Sequence, residues 1–243
     1  MPNRAKITIL IASLVVIFIP AVRAYPHQND WDARAVSEAI EKAKAYLWSK
    51  WSDGHWPEQD KPKERNYGGV TALCTYALLA AGENPQDPRM KKTFEWLAKL
   101  DIKGTYARAL RANVWGKLGR NSKYQRNLAE DVKWLLEAVD SRGTYGYVKG
   151  KRPKSAAAWR TWKHSWYDNS NSQLAVLGVW AGARNGIEIP LGYWKLIEKH
   201  WREDQNPDGG WPYQKEGLRP HSYGSMTAAG LATMFICFDA IYY

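Results

Sequence analysis

Apolar positions recur along this chain in two alternating patterns. In residues 33–50 (ARAVSEAIEKAKAYLWSK), Val36, Ile40, Ala43 and Leu47 share one stripe and Glu and Lys lie opposite. That spacing predicts an amphipathic helix. Residues 87–100, 121–139 and 190–203 repeat the two-faced pattern, and the four segments end in or near Trp48, Trp96, Trp134 and Trp201. Between them lie segments rich in Ala and Gly and nearly free of charge: Tyr67 to Gly82, Gly104 to Gly119, Tyr167 to Gly182, and onward from Tyr223. Arg108 and Arg111 are the exceptions. A helix that is apolar nearly all round is a buried helix. The spans 67–82 and 167–182 match in length from Tyr to Gly, the mark of an internal repeat. No segment shows a sustained strand period. The expected fold class is all-α: about four αα-hairpins, each pairing an outer amphipathic helix with a buried inner one.

The loops repeat as well. Asp53-Gly-His-Trp56 and Asp208-Gly-Gly-Trp211 share a D-G-x-W pattern, and Gly143-Thr-Tyr-Gly-Tyr147 is a degenerate third copy. Glycine permits a left-handed turn, Asp accepts backbone N–H groups within it, and Trp covers the hairpin seam. Pro212 stops a helix from continuing. Because the loop recurs with the hairpins, it is expected to buckle them together rather than to catalyse.

Gln205-Asn-Pro-Asp-Gly-Gly-Trp211 resembles the QW motif of squalene–hopene and oxidosqualene cyclases, and the run Tyr223-Gly-Ser-Met-Thr-Ala-Ala-Gly-Leu resembles the inner helices of that repeat. As a repeat pattern, residues 33 to 240 are similar to this superfamily, which includes protein prenyltransferase β subunits. The resemblance implies an α/α toroid. About six hairpins close such a ring and four are legible here. The ring is therefore expected to be open or incomplete, to be completed by a partner chain, or to belong to a longer protein. The catalytic signatures do not carry over. There is no DXDD acid cluster; Glu203-Asp204 comes nearest. Asp168 stands at the start of the prenyltransferase zinc set, but Ser170 and Asn171 occupy the region where Cys is expected, and His221 falls two residues early. Neither a metal nor a cofactor is expected.

Arg4 and Lys6 precede an apolar run from Ile7 to Pro20 and a small-residue stretch ending at Ala24. This reads as a signal peptide over residues 1–24, leaving 25–243 as a single domain. As a helix the run would span about 21 Å, short of a bilayer core of roughly 30 Å. The net charge of +11 includes three basic residues and no acid in that leader, so about +8 remains on the exported chain. Such a chain attracts an acidic polysaccharide, an anionic lipid or an acidic protein, and export excludes nucleic acid. Cys74 and Cys237 lie seven and fourteen residues after their aligned tyrosines. Parallel helices would separate them by about 10 Å, too far for a disulfide, so two buried free thiols are expected.

Several residues could carry chemistry. The fourth position after each tyrosine register is Thr71, Arg108, Asn171 or Thr227: polar groups that either line a central cavity or bond the preceding turn. In the toroid that the resemblance implies, the inner-helix N-termini crowd around one mouth, where Tyr67, Trp166, Tyr167 and Tyr223 are expected and helix dipoles would favour anions. Asp168, beside Trp166 and Tyr167, is either an acid with a raised pKa or the N-cap of the next helix. His164 and His221 are loop histidines that could serve as bases. The segment Lys149 to Lys163 carries Trp159 and Trp162 among six basic residues and reads as a basic aromatic flap or a solvated loop. Fourteen tryptophans suit a carbohydrate or polyprenyl site, but at least five sit at hairpin ends and serve packing. The expected function is a catalytically degenerate binding or scaffold module of the cell envelope. The alternative is a terpenoid cyclase-like or polysaccharide-acting enzyme using carboxylates at the inner-helix N-termini, for instance Asp168 with Asp208 or Asp53. A third is the N-terminal part of a larger protein whose activity lies downstream.

Overall fold

The computed structural model describes residues 33–243 apart from Leu218. The expected signal peptide lies outside the described residues. Contacts group residues 40–243 into one compact unit.

Among the described residues there are helices and no strands: α1 (Ala33–Lys50), α2 (Gly69–Ala80), α3 (Pro88–Lys99), α4 (Thr105–Lys117), α5 (Gln125–Ala138), α6 (Ala156–Trp159), α7 (Asn169–Arg184), α8 (Leu191–Asp204) and α9 (Gly224–Tyr242). All eight expected helices are present, and the short α6 inside the basic loop is the addition. The all-α class therefore stands. The inner helices lie side by side in the order α2, α4, α7, α9, while α3 packs on α2, α5 on both α4 and α7, and α8 on α9.

Small residues explain how closely the inner helices approach. A Cβ on Gly178 would lie 3.1 Å from the Ala109 Cα, and one on Gly116 would lie 3.0 Å from the Ala181 Cβ. Ala and Gly are thus needed where α4 and α7 cross, because a larger side chain would separate the backbones. The outer helices instead present bulky residues inward: Phe94 and Leu97 on α3, Leu128 and Leu135 on α5, Ile197 and Trp201 on α8, all buried. The first outer helix departs from this. Val36 and Ile40 of its stripe are exposed, and no α1 residue is fully buried.

The loop buckles are built as their repetition suggests. Gly54, Gly143 and Gly209 all have φ between 84° and 95°, the left-handed region. Two residues later in each case an aromatic ring turns inward. The backbone N–H groups of Trp56, Tyr145 and Trp211 donate to the hydroxyls of Thr71, Ser172 and Thr227 on the inner helices, each at 3.1 Å. The Trp56 Nε1 donates to Leu47 O at 2.7 Å, and the Trp211 Nε1 donates to Trp201 O at 2.6 Å. Leu47 and Trp201 are each fourth from the end of their helix, where carbonyls lack an intrahelical partner. One indole thus satisfies the outer helix while its own backbone is tied to the inner one.

Arg108 and Arg111 are bound into a buried knot. Arg108 Nη1 donates to Asp131 Oδ1 at 2.9 Å, and Arg111 donates to both Asp131 oxygens at 2.6 and 2.9 Å. The Trp115 indole donates to the same carboxylate at 3.1 Å, and Arg111 also donates to Leu97 O and Leu100 O at the end of α3. The Asp131 side chain has no exposure. Burial pulls the Arg108 guanidinium below its ordinary pKa, with Asp131 acting against that shift.

The cysteines are free, Cys237 buried and Cys74 partly so. Burial pushes the Cys237 thiol up to about 12 and, with Glu58 nearby, Cys74 up to about 11. Among the described residues, α9 is long and apolar enough to cross a membrane by length and composition, and it packs here on α7 and α8.

Candidate functional site

The N-termini of α2, α4 and α7 meet at a cleft of about 320 Å³. Each is capped differently. Glu58, two residues after the buckle's Trp56, accepts the N–H groups of Val70 at 3.2 Å and Thr71 at 2.8 Å. On α4, Thr105 donates its N–H to Tyr147 O and its hydroxyl to Gly146 O. Gly104, just before α4, packs so tightly that a Cβ there would lie 2.0 Å from Arg65 O. On α7, Asp168 is the N-cap: its Oδ1 accepts from Asn171 N at 2.8 Å, Ser170 Oγ at 2.7 Å and Asn171 Nδ2 at 3.1 Å. Its Oδ2 accepts from the Tyr147 hydroxyl at 2.6 Å, which holds that phenol above its ordinary pKa.

The capping reading of Asp168 therefore describes its bonds. The positive ends of α2 and α7 are answered by the chain's own carboxylates, and that of α4 by loop carbonyls. The cleft is lined by Glu58 and Asp60 and, among the described residues, by no cation. Leu73 and Tyr106, both exposed, supply apolar surface, and Asn66 and Gln59 supply amides. Asn171 is 1% exposed and lines the same cleft. Because its Nδ2 donates to Asp168, its Oδ1 points away from that carboxylate, and that oxygen has no hydrogen-bond partner.

Of the candidates named from sequence, Asn171 lines this cleft, Asp168 caps the helix end beside it, and the others are distributed elsewhere. Thr71 and Thr227 accept the buckle N–H groups, and Arg108 is in the Asp131 knot. Tyr67 packs on Trp96 at 5.7 Å between centroids, and Tyr223 on Tyr213 at 5.0 Å. Trp166 is half exposed and His221 is exposed. The His164 Nε2 lies 2.8 Å from Ala138 O, so it carries the proton, and the ring packs on Trp162 at 4.9 Å. Trp159 lines a separate apolar groove with residues of α5 and α8. Asp53 pairs with Lys92, and Asp208 accepts from Gly210 N and Ser222 Oγ, so neither shares a partner with Asp168.

Tyr167 belongs to a second, polar pocket of about 350 Å³ that includes Arg142, Thr144 and His200. Burial pushes its phenol up to about 12, with Asp204 adding to the shift, and the Arg142 guanidinium stacks 4.5 Å from the ring. Asn169 Nδ2 donates to Asp204 Oδ2 and Pro212 O, so its Oδ1 must accept from His200 Nε2, 2.9 Å away. His200 is thereby fixed with its proton on Nε2. Burial lowers its pKa, and Asp204 and Asp140 oppose that shift.

Sequence reasoning missed Glu58, Asp60 and Tyr106. The only local signal was the Trp-Pro pair repeated at 56–57 and 211–212, after which Glu58 and Tyr213 take equivalent places. The Tyr213 carbonyl accepts from Asn169 N at the start of α7, so both positions serve an inner-helix N-terminus. Among the described residues no cluster of three or more His, Cys, Asp or Glu could hold a metal ion. No family model, curated protein or solved structure matches the chain.

Proposed function

We propose that this protein is a binding module, exported to the cell envelope, whose ligand sits in the cleft at the N-termini of α2, α4 and α7. The observation that carries this reading is the state of the carboxylates. Asp168 accepts four hydrogen bonds and Glu58 two, all from the chain's own groups. A general acid or nucleophile needs an oxygen facing substrate and a tuned proton affinity. These carboxylates instead hold helix ends, while apolar and amide groups are left facing the cleft. Export rests on the leader pattern of residues 1–24. The order α2, α4, α7, α9, with small residues inside and amphipathic helices outside, supports an arc of an α/α toroid like that of the squalene cyclase and prenyltransferase repeat. The same scaffold supports unlike activities, so resemblance alone assigns none.

Thermal unfolding of the protein with polyprenyl and triterpene lipids, and with neutral and acidic glycans, tests the reading. A ligand at a hundred times its Kd adds about 2.7 kcal/mol and raises Tm visibly. Leu73→Arg, which fills the cleft from an exposed position, should abolish that shift while leaving the unliganded Tm close to wild type. A ligand shift that survives Leu73→Arg would place binding elsewhere. Turnover of the bound compound would replace the binding reading with an enzymatic one.

A further inference from the structure

One side of α9 is covered and the other is not. Met226, Ala229, Gly230, Thr233, Ile236 and Cys237 are buried, and the helix packs on α7 and α8. The opposite stripe, Gly224, Ala228, Leu231, Phe235, Phe238 and Tyr242, is exposed along its whole length. A solvated helix face ordinarily carries charge. Asp239 is the only charged residue from Gly224 to Tyr242. Leu231, Phe235, Phe238 and Tyr242 are 52–68% exposed and Tyr243 is 95% exposed. At roughly 200 Å² for a large side chain, these residues leave about 650 Å² of mainly apolar surface open, at the upper end for a monomer's largest patch. A stable pair buries about 800 Å² on each partner, so the stripe with its small-residue flanks has the area that one side of an interface needs. No α9 residue lines the cleft described above.

We infer that this stripe is the contact between two copies of the chain, which pair α9 on α9, antiparallel, about a two-fold axis.

Three features point to a second copy as the occupant. First, the stripe advances in alternating steps of four and three residues, the spacing with which one helix seam meets another. Second, its side chains grow along the helix, from Gly224 and Ala228 through Leu231 to Phe235, Phe238 and Tyr242. Parallel copies would set glycine against glycine at one end and tyrosine against tyrosine at the other, wedging the helices apart. Reversed copies match small to large at every level. Gly224 meets the partner's Tyr242, Ala228 the partner's Phe238 and Leu231 the partner's Phe235, and each pair recurs by symmetry. Space is open at the small end, because a Cβ built on Gly224 has nothing within 4 Å. Third, the charges agree. Glu58 and Asp168 answer the N-termini of α2 and α7, but α9 starts with no acidic residue in its first turn and no side-chain cap. The same register sets the partner's Asp239, an exposed residue, level with Thr227, beside that positive helix end.

Sedimentation velocity of the full protein, from low to high micromolar concentration, tests the pairing, and introduced cysteines read its register. The expected species is a dimer that dissociates on dilution. Phe235→Glu alters an exposed residue, so it should keep the helical circular dichroism and weaken dimerisation about tenfold or more. The double variant Ala228→Cys/Phe238→Cys should cross-link two copies under mild oxidation, with the wild type showing any background from Cys74 and Cys237. Neither single variant should do so, because like positions lie ten residues, about 15 Å, apart along the axis. A protein that stays monomeric at high micromolar concentration overturns the pairing. Cosedimentation of that monomer with phosphatidylcholine vesicles would give the stripe to a membrane instead. Cross-linking by either single variant overturns the antiparallel order. Growth beyond a dimer would mean a head-to-tail contact that does not close. A dimer that Phe235→Glu leaves intact would place the interface elsewhere.

Discussion

The buried charges at single residues set two measurable properties. Asp131 answers two arginines and an indole from a position without solvent. Asp131→Asn removes the charge while leaving Arg108 and Arg111 buried, so it should cost about 3–5 kcal/mol in urea unfolding. A loss under about 1 kcal/mol would mean the guanidiniums find water. His200 governs the mild-acid range. Its folded pKa lies below the ordinary 6.5, because burial disfavours the imidazolium despite Asp204, Asp140 and Glu203, with Arg142 reinforcing the shift. The unfolded chain therefore binds the proton more readily. The resulting stability is present above about pH 6.5 and is lost as pH falls through the folded pKa. His200→Gln should flatten the pH dependence of unfolding free energy between neutrality and pH 5. Asp140 acts lower. Burial raises its pKa, but the His164 and Thr144 N–H groups and the Arg142 guanidinium outweigh that and bring it below the usual carboxylate value. Its contribution persists until strongly acid pH.

The buckles and the close crossings are properties of whole elements. Trp211→Phe keeps the ring over the seam but removes the donor to Trp201 O, so denaturant unfolding should show a cost of about 1–3 kcal/mol. Two glycines in helices make opposite predictions. Gly178→Ala would put a methyl carbon 2.8 Å from Leu135 Cδ1 and 3.1 Å from the Ala109 Cα, forcing α4 and α7 apart at a cost of about 1–3 kcal/mol. Gly192 in α8 has nothing within 4 Å of a built Cβ, so Gly192→Ala should instead raise stability by roughly 0.5–1 kcal/mol. Helix positions were readable at this scale because the outer segments keep a 3.6-residue period and the inner ones lack charge. The recurrence of D-G-x-W also marked where the turns fall. Pairing was less readable: α3 packs on α2, and α5 spans α4 and α7, because small residues on all the inner helices leave sequence spacing silent about which neighbour each meets.

At the largest scale, the compact unit leaves one apolar helix face uncovered. On α9, Leu231, Phe235, Phe238 and Tyr242 are exposed, while the adjacent Ile236 and Cys237 are buried. In protein dilute enough to be monomeric, Phe235→Ser should therefore change the unfolding free energy by less than about 0.5 kcal/mol, whereas Ile236→Ser, next to it in sequence, should cost about 2–4 kcal/mol. Equal losses at the two positions would show that α9 is covered on both sides within one chain. Calling α9 buried from composition alone describes only one of its faces, since an apolar helix records what it can tolerate and not which neighbours are present. Among the ligand candidates, Asn171 could be found from the polar position repeated in each inner helix. Thr71, Arg108 and Thr227 occupy equivalent places, yet they tie to a buckle, a carboxylate and a second buckle.

What the sequence determined by itself is local: helix type and extent, the left-handed glycine turns, and the capping role open to Asp168. Each follows from chemistry between residues close in the chain or from a period repeated along it. The tertiary structure alone decided which polar groups meet. Glu58 reaches α2 from a loop, Tyr147 reaches Asp168 across twenty-one residues, and the Asn171 carbonyl oxygen is left buried and unpaired. Hydrogen bonding is directional and short-ranged. Which donors find which acceptors therefore depends on how packed helices bring distant loops together, information that no pattern of apolar spacing carries.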